Sequence, residues 1–262
     1  MKITVLGSGS IIPTRSRFST SFLIEYSGGK ILLDSGPGTI EKLRRRDVNP
    51  NSIGKILITH LHIDHVLDLP AMIKIRLFDE FGRPMQNPPK LEVYGPSGLK
   101  EFLDKMIHHG GAYSYLSEMM KHSNYLYTYE VEDGSVVESS SLKIYSSSVE
   151  HYNSVAYRFE VDGLSLAYSG DTVYDERMIN LAKDVDILIH ECSFPKEMLL
   201  GKHTSDEELV DIVKKSRPKL LLVTHLYPAW EGRERPLEDK LRRETGCRVY
   251  VVKDMDIIEV EP

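Results

Sequence analysis

Cysteine is scarce in this chain: two residues, Cys192 and Cys247, in 262. Two cannot build a disulfide framework, although a single bridge remains open, and such low usage points to a reducing cytoplasm. Positive charge is not in surplus either. The chain has 33 lysines and arginines against 39 aspartates and glutamates, a net charge of −6. That disfavours a dedicated polyanion binder while leaving room for a local basic patch. No apolar run approaches the ~18 residues of a membrane span, so no membrane partner is expected. The opening MKITVLGSGS has one lysine and an apolar run that stops at glycine, which reads as a buried strand and not as a signal peptide. Nor is there a linker rich in proline, glycine or serine. The expectation is one domain over residues 1–262, of ordinary globular composition.

What the chain does have is short apolar runs punctuated by turns. KITVLG (2–7), SFLIEY (21–26) and KILLD (30–34) read as strands, the last two joined through YSGGK as a hairpin. TIEKLRRRD (39–47) reads as a helix, KILIT (55–59) as a buried strand, 66–81 as largely helical with Pro70 near its start, and KLEVYGP (90–96) as strand and turn. Residues 97–130 read as mainly helical. Their tyrosines, Tyr113, Tyr115, Tyr125, Tyr127 and Tyr129, read as packing under a surface segment more simply than as a substrate platform. The second half returns to strands at LKIYSSSVEH, SVAYRFEV, LSLAYSGD, VDILIHE, KLLLVTH and RVYVVKD, with helices between the later ones. Ser205 and Glu208 form a predicted capping box at the start of one of them.

The heptapeptide THLHIDH, residues 59–65, crowds His60, His62, Asp64 and His65 into six positions. Imidazoles and carboxylates are poor core material, and a solvated surface needs no such density. The cluster begins where the predicted strand KILIT ends. His151 after SSSVE, Asp171 after LAYSG and His225 after LLLVT share that placement. Strand ends along one sheet edge are where a fold gathers distant residues into a site. Five imidazoles and two carboxylates suit two borderline divalent ions such as Zn²⁺, or Mn²⁺ or Fe²⁺ in its place, whereas calcium and magnesium prefer oxygen. Taken singly, His151 and His225 read more simply as hydrogen-bonded turn or core residues, and Asp171 as a turn former. The cluster tips all three toward metal. His190, before Glu191 at a strand end, fits either reading. His108, His109 and His122 lack this context and are expected in loops or at the surface.

These motifs resemble the metallo-β-lactamase superfamily, whose H-x-H-x-D-H signature is matched by His60, His62, Asp64 and His65. Within it the resemblance is to ribonuclease Z, the tRNA 3′-end endonuclease, and its phosphodiesterase relatives. LGSGSIIPTRSRFSTSFLIE, ILLDSGPGTIEKL, ILITHLHIDHVLDLP, YSGDT, DILIHECSF and KHTSDE are similar to that branch's segments in the same order, over most of residues 1–230. The resemblance implies an α/β fold, the αββα sandwich of two mixed sheets flanked by helices. It implies His60, His62 and His151 on one ion, Asp64, His65 and His225 on a second, and Asp171 bridging both. Asp34 would support the metal loop from behind, although it also reads as a turn aspartate before SGPG. Asp64 would orient the nucleophile or accept its proton besides holding metal. His203 would protonate the leaving oxygen, oriented by Glu191, although His203 also reads as a surface-loop histidine. Two ions would lower the pKa of bound water and neutralise a substrate oxyanion. A homodimer pairing through the first helices and the 66–81 region is implied too.

The bacterial ribonuclease Z to which this chain is similar carries a long arm that grips tRNA, inserted between the positions of His151 and Asp171. Here that interval reads as a plain hairpin. Arg15, Arg17 and KLRRRD (42–47) are basic, the last read as the solvated face of a helix more simply than as an RNA groove. The expectation is therefore a dinuclear phosphodiesterase for a small or nucleotide-type diester. The alternatives are an arm-less tRNA 3′-processing endoribonuclease, with RNA as partner, and a lactone, thioester or lactam hydrolase on the same scaffold. A fourth is a non-enzymatic metal-binding scaffold protein, against which the intact ligand set and His203 argue.

Overall fold

Two seven-stranded sheets pack face to face in the computed structural model, which describes residues 1–108 and 110–262. The expectation for His109 therefore lies outside the described residues. The first sheet contains β1 (Lys2–Gly7), β2 (Ser21–Tyr26), β3 (Gly29–Leu33), β4 (Lys55–Leu57), β5 (Leu91–Gly95) and β6 (Leu126–Glu130), with β14 (Ile257–Glu259) outside β1. The second runs from β7 (Gly134–Glu138) through β8 (Leu142–Val149), β9 (Ser154–Val161), β10 (Leu164–Tyr168), β11 (Ile187–Glu191) and β12 (Leu220–Thr224) to β13 (Arg248–Val251). Each sheet changes from antiparallel to parallel halfway across, at β3 in the first and β10 in the second. The parallel strands β11 and β12 are buried along their whole length, as ILIHE and LLLVT anticipate. Antiparallel β8 alternates buried and half-buried positions.

The inner faces share one core, in which Ile3, Phe22 and Leu57 meet Tyr157, Tyr168 and Ile189. Helices cover the outside. Against the first sheet lie α1 (Thr39–Arg45), α2 (Ile63–Val66), α3 (Leu69–Ile75), α4 (Leu99–Ile107) and α5 (Tyr115–Met120). Against the second lie α6 (Glu176–Leu181), α7 (Asp206–Ser216) and α8 (Glu234–Thr245). This is the αββα sandwich. Among the described residues no helix is long and apolar enough to cross a membrane.

Most elements fall where the residues place them, and the capping box of Ser205 and Glu208 opens α7. Three expectations need correction. The helix over 66–81 is shorter and broken: α2 ends at Val66 and α3 at Ile75. Pro70 sits in the first turn of α3, where its missing N–H is harmless. Beyond Ile75, the buried Arg76 donates to the carbonyl of Asn51 at 3.1 Å, and the carboxylate of Asp79 gathers the N–H groups of Phe81 and Arg83, each at 2.9 Å. Those bonds replace the next helical turn. The helical reading of 97–130 fails at its end, where LYTYE forms β6 beside β5 and carries Tyr127 and Tyr129. Arg17, counted with Arg15 as a basic stretch, is not available to a polyanion: its guanidinium is buried and donates to Ser8 Oγ and to the carbonyl of Val252.

The turn after β3 approaches the chain at α2 very closely. A Cβ on Gly36 would stand 2.1 Å from the carbonyl oxygen of Asp64, whereas one on Gly54 would meet nothing within 4 Å. Gly36→Ala is expected to destabilise the protein by roughly 1–3 kcal/mol, the usual cost of overpacking. Gly54→Ala is expected to be neutral or slightly stabilising. Thermal unfolding followed by circular dichroism separates the two, and equal midpoints would refute this account of the turn.

Candidate metal centre

The C-terminal ends of the strands converge on one edge. Asp34 follows β3, His60 follows β4 by way of Ile58 and Thr59, His151 follows β8, Asp171 follows β10, Glu191 ends β11 and His225 follows β12. His62 is the N-cap of α2, and Asp64 and His65 lie within it. Side-chain donor atoms of His60, His62, His151 and Asp171 lie within 4.8 Å of one another, as do those of Asp64, His65 and His225. Asp171 joins the groups: its Oδ2 lies 3.7 Å from His60 Nε2, 4.0 Å from His151 Nε2 and 3.3 Å from His225 Nε2, and its Oδ1 lies 3.5 Å from His65 Nε2. The structure thus brings together all seven residues singled out in the sequence.

Hydrogen bonds behind the ring fix how four of the imidazoles face. His65 Nδ1 donates to Asp34 Oδ2 at 2.8 Å, and His151 Nδ1 donates to the carbonyl of Lys202 at 2.9 Å. The hydroxyl of Thr59 gives its proton to Asp34, so His60 Nδ1 donates to Thr59 Oγ1 at 3.1 Å. Likewise Ser193 Oγ donates to Glu191 Oε2, so His225 Nδ1 donates to Ser193 Oγ at 3.0 Å. With Nδ1 committed outward, Nε2 of each ring is turned to the centre. There His65 Nε2, His225 Nε2 and Asp171 Oδ1 are buried with no hydrogen-bond partner. Buried polar atoms are normally satisfied, and three orphans converging on one place fit a cation. The spacing fits too. Tetrahedral bonds of about 2.0–2.1 Å put ligand atoms about 3.3 Å apart. His62 Nδ1 lies 3.0 Å from His60 Nε2 and 3.4 Å from His151 Nε2, and His225 Nε2 lies 3.5 Å from Asp64 Oδ2. The donor set of imidazoles and carboxylates therefore suits a divalent metal ion.

Electrostatics agree. Burial holds His60 well below the usual histidine range and also lowers His62 and His151, keeping these rings neutral and able to donate a lone pair. Burial would lower His65 as well, but Asp171 and Asp34 outweigh it and raise this ring well above its ordinary value. Burial would raise Asp64 and Asp171. His225 and His65 reverse that, bringing Asp64 to about 2 and Asp171 well below the carboxylate range. Ionised carboxylates among mainly neutral imidazoles are a ready receptor for positive charge.

Behind the centre, the buried carboxylate of Asp34 takes bonds from Thr59 N at 2.8 Å, Tyr168 Oη at 2.6 Å, Thr59 Oγ1 and His65 Nδ1. Asp34 and His225 both hold positive φ, at 55° and 54°, and Gly170 before Asp171 does so at 57°. A Cβ on Gly170 would stand 2.6 Å from that of Thr59. His203 is no open-loop residue. Its Nδ1 donates to Glu191 Oε1 at 3.1 Å and lies 3.9 Å from Asp171 Oδ2. Burial would lower it, yet Glu191 and Asp171 raise it to about 9. His203 also lies close enough to group with Asp171 and His225 as a ligand. The other oxygen of Glu191 accepts from Ser193. His190 points elsewhere, buried, its Nδ1 on the carbonyl of Glu191. His108 and His122 are exposed and outside the site, as expected. Ser193, Thr59, Tyr168 and the rings of Tyr152 and Tyr227 beside the histidines carry no signal in the sequence.

Comparison with known proteins gives matches over nearly the whole chain. The profile of a family described as Anti-Pycsar protein Apyc1 matches residues 1–239. Ribonuclease Z of Thermococcus kodakarensis is 27% identical, over 98% of this chain and 94% of its own length. Among solved structures, the metallo-beta-lactamase fold protein YhfI from Bacillus subtilis superposes with a TM-score of 0.77 at 19% identity, covering 98% of each chain. The short form of human tRNase Z superposes at 0.75 with 21% identity, covering 100% of each.

Asp34→Asn leaves the shape and changes the chemistry, because an amide N–H would face groups that now donate to an oxygen. It is expected to weaken Zn²⁺ binding about 10- to 100-fold, read by competition with a chromogenic chelator. Wild-type affinity in a correctly folded variant would remove Asp34 from the support of the centre.

Proposed function

This chain belongs to the Anti-Pycsar protein Apyc1 family, and from that premise we propose that it is a dinuclear metal-dependent phosphodiesterase acting on a small, nucleotide-type diester. A metal-dependent hydrolase resembling ribonuclease Z is the broader statement, on which fold, relatives and donor cluster agree. The observation that carries the reading is the convergence of the buried, unpartnered His65 Nε2, His225 Nε2 and Asp171 Oδ1. In this reading His60, His62 and His151 would hold one ion, Asp64, His65 and His225 would hold the other, and Asp171 would serve both. Zinc suits the donor set best, with manganese or iron in its place. Ions bound there supply Lewis acidity and a nucleophile at neutral pH. Asp64 would orient the nucleophile or accept its proton besides holding metal. His203 Nδ1 donates to Glu191, whose carboxylate favours a second proton on the ring against the effect of burial. His203 delivers that proton to the leaving oxygen, and Glu191 keeps the ring in line.

A small substrate is supported by what surrounds the site. Between His151 and Asp171 runs only the β9–β10 hairpin, turning at Asp162 and Gly163. The Thermococcus alignment extends over 309 positions, more than the 262 residues here, so that relative carries residues without a counterpart in this chain. Of the basic residues singled out in the sequence, Arg17 is buried, Arg44 and Arg45 pair with Glu41 and Lys42 pairs with Asp254, while Arg15 is exposed. The similarity to ribonuclease Z favours tRNA 3′ processing as the second reading. Cleavage of a tRNA precursor that falls steeply with salt would support it, since phosphate contacts release counterions.

Two measurements test the proposal. The purified protein is expected to contain about two ions per chain by plasma mass spectrometry and to hydrolyse bis(p-nitrophenyl) phosphate. Chelation should abolish that activity, and Zn²⁺ or Mn²⁺ should restore it. Metallated protein inert toward diesters would sink the phosphodiesterase reading. His203→Ala is expected to keep its metal and lose about 10²- to 10⁴-fold in turnover, the range for a general acid. Full activity in that variant would remove the role.

A further inference from the structure

The mouth of the site carries an aromatic ring left largely in water. Tyr152, the residue after His151, is 58% exposed. Its ring centroid lies 5.0 Å from that of His62 and 5.3 Å from that of His151. Lys202 Nζ sits 4.9 Å from the same centroid. Both residues are tied to the centre through the backbone. Tyr152 is bonded to His151, while Lys202 receives the Nδ1–H of His151 on its carbonyl and precedes His203. The turn is pinned from the other side, where Asn153 Nδ2 donates to the carbonyl of Ser97. A ring and an ammonium group are thus held beside the reacting position by the residues that build it.

Building on the phosphodiesterase reading above, we propose that Tyr152 and Lys202 form the wall that recognises a nucleoside phosphodiester, the ring stacking on the nucleobase and the ammonium pairing with phosphate oxygen. An exposed tyrosine offers a flat apolar face at small entropic cost. Every nucleobase has a π-face to lay on it, whatever its edge pattern. At an exposed position a lysine is held only weakly over a ring. An arriving base takes its place, and the flexible stem lets the ammonium swing to the phosphate. A diester without a base has nothing to set against the ring.

The test uses two substrates with the same leaving group, thymidine 5′-p-nitrophenyl phosphate and methyl p-nitrophenyl phosphate. The ratio of their kcat/KM values reads base recognition. Tyr152→Ala is expected to lower that ratio about tenfold or more, mostly through KM, and Tyr152→Phe to preserve it. Tyr152→Leu, which keeps bulk without a π-face, serves if the alanine variant does not fold, with the same fall expected. Lys202→Gln is expected to weaken both substrates alike and to flatten their salt dependence. Calorimetry on the chelated protein gives a readout free of turnover: the Kd of thymidine 5′-monophosphate should rise about tenfold in Tyr152→Ala. An unchanged ratio and Kd in the tyrosine variants would overturn the wall while leaving the phosphodiesterase reading intact. Wild-type protein that hydrolyses neither diester yet binds the nucleotide through Tyr152 would uphold the wall and remove that reading. Wild-type protein that does neither would overturn both.

Discussion

One buried carboxylate, that of Asp34, holds the two halves of the molecule in register at the site. It lies at the end of β3, takes two bonds from Thr59 after β4 and one from His65 in α2, and reaches across to Tyr168 on β10 of the opposite sheet. The donors are an amide, two hydroxyls and an imidazole. A charge in that position is tolerable because every bond points at it. The same bonds orient Thr59 and His65, and through Thr59 the ring of His60, so that Nε2 of both rings faces the cluster. Asp34 accepts a left-handed backbone to do this, strain that the surrounding bonds must outweigh.

The centre was legible in the sequence because its key residues are chemically conspicuous and locally dense. A metal is the simplest reading of His60, His62, Asp64 and His65 in so short a stretch, and the strand-end rule added His151, Asp171 and His225, which the structure brings to the same edge. The fold followed from the same strands. What stayed hidden was made of ordinary residues in long-range contact. Ser193 is one serine among many until β11 and β12 lie side by side, and Tyr152 reads as part of a hairpin until His62 is seen beside it. Arg17 counted only as part of a basic stretch, because an arginine gives no hint in the sequence that Ser8 and Val252 will enclose it. The short edge strands β7 and β14 are largely exposed or half-buried, so they lack the apolar rhythm that announces a strand. The broken helix after Ile75 turned on Asp79 bonding its own neighbours, a local choice that competes with helix wherever aspartate occurs.

The two sheets also show why sites of this sort sit at an edge. Parallel strands in one half of each sheet deliver their C-terminal ends to the same side, so loops from both sheets contribute side chains without crossing the core. The antiparallel halves close the sandwich, and β8 brings His151 from there to the same edge.

Ser193 adds a constraint of another kind. Its single hydroxyl accepts from His225 and donates to Glu191, which in turn holds His203. In the proposed mechanism, the cradle for the ion and the group that protonates the leaving oxygen are therefore spliced through one atom. Natural variation at residue 193 cannot adjust one without disturbing the other. Alanine at this position severs the splice, removing the acceptor of His225 Nδ1 and leaving Glu191 one donor short. Lineages that drift at this position would have to rebuild both functions in concert, so the pair should be inherited as a unit even though the two histidines, His203 and His225, lie in separate segments of the chain.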